Sequence, residues 1–124
     1  MVMGRTMHGV AGLALLTLAG IGPASAHAHL ASAVPAVDGT VRSAPAEVSL
    51  AFTEKLEETL SRIVVRDAAG RQVDKGDTHF VGRDPKSLAV GLGALVPGTY
   101  TVTWTARSVD THQTTGTFTF IVKP

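Results

Sequence analysis

The chain has no cysteine in its 124 residues. Disulfides and thiolate metal sites are therefore excluded. Its three methionines, Met1, Met3 and Met7, crowd the extreme N-terminus, so the rest of the chain has no thioether either. Soft metals such as Cu(I) lose their preferred ligands; imidazole, amine and carboxylate suit Cu(II) or Zn(II) better. Aromatic residues are few: one Trp, one Tyr and four Phe. Charge of one sign is also missing. The formal net charge is only +1 and no basic run occurs, which makes nucleic acid and anionic membrane surfaces poor partners.

Long apolar runs are scarce as well. Only residues 9–22 form one, and it is shorter than the roughly 20 residues that span a bilayer. Arg5 precedes this run and Ala24-Ser25-Ala26 follows it. A positive start, an apolar middle and a small-x-small site are the marks of a secretory signal. We expect residues 1–26 to be removed, with no stable membrane insertion afterwards; the alternative is an uncleaved anchor. Residues 27–124 then form one small domain, periplasmic or secreted, with ten residues of each charge. A domain this small, without disulfides, depends on its core or on a bound metal.

That domain reads as β throughout. In residues 47–53, Val48, Leu50 and Phe52 alternate with polar or small residues, the period of a half-buried strand. Ile63 and Val65 do the same, as do Leu88, Val90 and Leu92. Tyr100, Val102, Trp104 and Ala106 line one face against threonines, and Phe118, Phe120 and Val122 close the domain. Residues 30–34 read as a short strand ended by Pro35. Residues 37–40, 68–71 and 96–99 read as turns, residues 72–75 as a returning strand, and residues 54–60 as one helical turn. Residues 76–86 read as a loop with a short strand near 78–81. About seven short strands with turn residues between them predict an all-β fold, a Greek-key β-sandwich or barrel of immunoglobulin-like type.

Cleavage after Ala26 would make His27 the first residue. Its α-amine and imidazole Nδ1 could then close a six-membered ring on a metal. Asp110 and His112 stand two apart, and on an extended segment both would point to one face. An amine, two imidazoles and a carboxylate suit tetragonal Cu(II). Composition alone does not bring the two segments together. The alternative is a solvated Asp-x-His loop and a free terminus. His27-Ala28-His29 also fits an X-X-His chelate, in which the amine, two deprotonated amides and the His29 imidazole take Cu(II). Strand pairing is expected to withhold those amides, leaving His29 an accessory role at most. His79 has no partner at ligand spacing and reads as solvated.

The mature sequence resembles the CopC family of periplasmic copper-binding proteins over nearly its whole length. The resemblance rests on His27-Ala-His-Leu30, on Pro45-Ala-Glu-Val-Ser-Leu-Ala-Phe-Thr-Glu54, and on Gly82-Arg-Asp-Pro-Lys86. It rests most on Pro97-Gly-Thr-Tyr-Thr-Val-Thr-Trp-Thr-Ala-Arg-Ser-Val-Asp-Thr-His112, followed by Gly116-Thr-Phe-Thr-Phe120. The resemblance implies a Greek-key β fold and a Cu(II) site made by His27, Asp110 and His112. Some members add a glutamate, and Glu54 stands at that position. It implies a carrier or buffer acting in copper resistance, homeostasis or import, with a CopD-like inner-membrane copper transporter as partner. Some relatives hold Cu(I) in a methionine-rich loop; residues 68–78 have no methionine, which argues against a second, cuprous site.

Two other classes stand beside this one. A histidine-brace copper monooxygenase would use a similar nitrogen set, but it needs a flat aromatic surface, and most aromatics here fit the core alternation. A metal-free structural sandwich has no support beyond fold class. A binding protein, not an enzyme, is therefore expected.

Overall fold

The structure, a computed structural model, describes residues 27–124. The expected cleavage segment lies outside the described residues. Eight strands form two four-stranded sheets: β1 (Leu30–Val34), β2 (Gly39–Val41), β3 (Glu47–Phe52), β4 (Arg62–Arg66), β5 (His79–Val81), β6 (Asp84–Gly91), β7 (Gly98–Arg107) and β8 (Gln113–Val122). One sheet runs β1-β3-β6-β5 and the other β2-β8-β7-β4. Every pairing is antiparallel except β2 with β8. The all-β sandwich expected from the alternation is what forms.

The alternating residues meet between the sheets. Val48, Leu50, Phe52, Ile63, Val65, Leu88, Val90, Leu92, Tyr100, Val102, Trp104, Ala106, Phe118, Phe120 and Val122 are all buried in one cluster. Aromatic edges order it: Phe52 meets Trp104 edge-on at 5.1 Å, and Tyr100 stacks on Phe120 at 5.5 Å. Gly116 pairs with Trp104 across β7 and β8. A Cβ at Gly116 would lie 2.4 Å from the indole ring, so only glycine lets the ring lie flat over that strand.

Some elements differ from expectation. Residues 37–40 do not form a turn alone. Gly39 N–H donates to Ala36 O at 2.9 Å and Asp38 takes a φ of 56°; the chain then enters β2, which runs beside the end of β8. A three-residue strand is too short to show period two. β6 starts at Asp84, inside the predicted loop. Residues 72–75 make only isolated bridges, Arg66 to Gln72 and Asp74 to Leu92. The predicted helical turn is a 3-10 turn at Glu58–Leu60. Among the described residues no helix is long and apolar enough to cross a membrane.

Two features position the site. The β7–β8 hairpin keeps register over ten pairs, from Gly98 with Val122 to Arg107 with Gln113. It therefore delivers residues 108–112 to one pole of the sandwich. β1 pairs Leu30 with Phe52, so the start of the domain arrives where β3 ends. That end is the same pole, because Phe52 packs on Trp104 and Leu56 bridges to Ser108.

Candidate metal centre

Residues 108–112 close the hairpin as a turn, so the condition of an extended segment, on which both side chains would share a face, is not met. Ser108 N–H donates to His112 O at 2.9 Å, and Thr111 N–H donates to Ser108 O at 2.9 Å. Thr111 takes a φ of 78°, a left-handed conformation that a β-branched residue seldom adopts. The reversal at Thr111, not strand alternation, brings the Asp110 and His112 side chains together.

The buried Ser108 organises this turn. Its hydroxyl donates to Asp110 Oδ1 and also lies 3.1 Å from His112 O. Asp110 Oδ1 accepts the His112 N–H at 3.2 Å, and Oδ2 lies 3.2 Å from His112 Nδ1. The Ser108 hydroxyl, more than the His112 contacts, holds the Asp110 carboxyl below its ordinary value, against a smaller opposing effect of burial. The turn is tied down from behind: Val109 N–H donates to Lys55 O at 3.0 Å, and Glu57 N–H to Arg107 O at 2.8 Å.

The start of the domain is fixed against this turn residue by residue. His29 N–H donates to Thr53 Oγ1 at 2.9 Å, and Thr53 N–H returns to His29 O at 3.0 Å. Ala28 is 1% exposed and belongs to the core cluster. Thr114 Oγ1 donates to Ala28 O at 2.7 Å. The result is that His27 lies on His112, with ring centroids 4.7 Å apart and planes tilted by 46°. Both residues are exposed.

The structure thus brings His27, Asp110 and His112 to one place. Among the described residues, no three His, Cys, Asp or Glu side chains are already arranged to enclose a metal ion. His27 and His112 are exposed, and exposed side chains change rotamer within nanoseconds. Glu54 is half-buried one residue beyond Thr53, and no hydrogen bond ties it to the three. The His29 ring is exposed. His79 lies on β5, at the edge of its sheet opposite β1, with Nδ1 2.6 Å from Asp77 O. Thr53, Thr114 and Ala28 were not singled out from sequence. Their importance lies in contacts between distant segments, which no local pattern reveals.

The family model described as the CopC domain matches residues 30–123. This chain belongs to the CopC family. The match contains Asp110 and His112, and His27 stands just ahead of it. Protein YobA of Escherichia coli K12 is 38% identical over 113 residues, covering 90% of this chain and 91% of that one. Copper resistance protein C of Pseudomonas syringae pv. tomato is 37% identical over 106 residues, covering 81% and 83%. Among solved structures, PcoC of Escherichia coli, described as a methionine-rich copper resistance protein, superposes with a TM-score of 0.68 at 35% identity. That match covers 79% of this chain and all of PcoC. This CopC-family domain departs from that description, since its described residues hold no methionine.

Proposed function

We propose that this protein is an exported Cu(II)-binding protein, a carrier or buffer that serves copper resistance, homeostasis or import. Copper is its cargo, not the agent of a reaction. Signal cleavage after Ala26 frees the His27 amine. The ion is then held by that amine, the His27 and His112 imidazoles and the Asp110 carboxylate. Glu54 and His29 stay outside this set. The observation that carries the reading is the 4.7 Å approach of His27 to His112 from opposite ends of the domain. A nitrogen-rich set with one hard oxygen, and no sulfur nearby, favours the cupric ion. Release to a CopD-like inner-membrane transporter fits an exposed ion at one pole.

The test is a Cu(II) titration of the processed protein, whose intact mass must show that it begins at His27. One ion should bind. His112→Ala should weaken binding by more than the ~10–100-fold that loss of an outer-shell partner costs. Unchanged affinity in that variant refutes the site. Because amines and imidazoles lose a proton on binding, affinity should fall in acid.

A further inference from the structure

The X-X-His chelate open to His27-Ala28-His29 is the obvious rival for the same ion, and the structure contains the device that suppresses it. We infer that Thr53 and Thr114 are positioning residues that select the two-ended copper site over the amino-terminal chelate. The inference rests on the function proposed above and explains why one geometry forms and not the other.

The rival chelate needs four nitrogens in one plane: the His27 amine, the Ala28 and His29 amides, and the His29 imidazole. The His29 amide must therefore lose its hydrogen and turn towards the ion. In the fold that hydrogen is given to Thr53 Oγ1 at 2.9 Å. The backbone is held on its other side too, since Thr53 N–H donates to His29 O at 3.0 Å. Neighbouring amides of an extended segment face opposite edges. Bringing the Ala28 and His29 amides to one point thus means turning this anchored segment, which lies just before β1, away from its present partners. It would draw the buried Ala28 methyl from the core and strain the bond from Thr114 Oγ1 to Ala28 O, 2.7 Å long.

The same contacts favour the two-ended site. Thr114 lies two residues beyond His112, so its bond to Ala28 O joins the segment carrying His27 directly to β8, the strand that follows His112. One threonine blocks the wrong geometry and the other builds the right one. Both act through the backbone, and neither touches the ion.

The experiment is the Cu(II) electron paramagnetic resonance and visible circular dichroism spectrum of the processed protein. Wild type should give one species, unchanged by His29→Ala. Thr53→Val and Thr114→Val keep the side-chain shape but remove the hydroxyl. Each should raise the share of a planar four-nitrogen species about fivefold, the factor that one modest hydrogen bond commands. Adding His29→Ala should abolish that species. Thr53→Ser and Thr114→Ser, which keep the hydroxyl, should return the wild-type spectrum and report on the device if a valine variant does not fold. The inference is overturned if the folded valine variants give the wild-type spectrum, if the serine variants show the four-nitrogen species, or if wild type already shows a His29-dependent spectrum. A wild-type spectrum indifferent to both His112→Ala and His29→Ala would instead refute the parent reading.

Discussion

At the scale of single residues, two positions do more than their size suggests. Gly116 faces the Trp104 ring with no room for a methyl group. Gly116→Ala should cost about 1–3 kcal/mol, the usual penalty of overpacking, measured as a lower urea midpoint with unchanged slope. Trp104 fluorescence should shift as the ring is displaced. Ser108 matters through its hydroxyl, which supports Asp110 and the His112 carbonyl. Ser108→Ala should leave the strands intact but release the Asp110 carboxylate. We expect the variant to be less stable, read as a lower urea midpoint, because a charge-assisted bond is removed. Copper affinity should fall about tenfold, as when other outer-shell partners are lost. A variant matching wild type in both measurements would show that the turn holds itself.

At the scale of elements, one sheet edge is sealed by side chains. β4 ends its sheet, yet its amides are not open: Ile63 N–H donates to Thr78 Oγ1 and Val65 N–H to Asp74 Oδ2. Such capping blunts an edge that could pair with another chain. Asp74→Ala should therefore speed amide exchange at Val65 and cost about 1–2 kcal/mol, since a buried donor loses its partner. Equal exchange in the variant would assign the protection to the strand alone. This edge also shows where the sequence was legible. Strands buried on one face, β3, β4, β7 and β8, announce themselves through alternation, because burial enforces period two. Segments that make only isolated bridges, such as residues 72–75, and strands of three residues, such as β2, leave no periodic trace. The site divides in the same way. His27, Asp110 and His112 were legible as residue types with metal-ligand chemistry. The left-handed Thr111 and the threonine clamp were not, because they depend on contacts formed only after folding.

At the scale of the whole molecule, metal and stability are linked. A ligand that binds only the folded state stabilises it by about 2.7 kcal/mol at 100 times its Kd. For a domain of this size, each kcal/mol moves Tm by roughly 4–8 °C. Processed protein with excess Cu(II) should thus melt well above the chelator-treated form, and His112→Ala should remove most of the difference. Acid works through other groups. Hydrogen bonds from the Arg71 and Lys86 amides, respectively, hold Asp67 and Asp84 below the ordinary value of 3.8. A depressed folded value means that stability is present above the unfolded value and is lost as pH falls through the folded one. Asp67→Asn should be less stable than wild type at neutral pH, and the gap should close below about pH 4. A gap that persists at pH 2 would assign the effect to packing.

Seating Ala28 in the core holds the His27 nitrogen one residue away, and in the proposed site that nitrogen is a terminal amine. A purification handle in front of His27, or a single glycine left by protease trimming, converts that amine into an amide that cannot bind in the same way. The far end of β8 carries no such constraint. A handle appended after Pro124 should leave the proposed copper site intact, so the two placements of one handle should give different copper titrations.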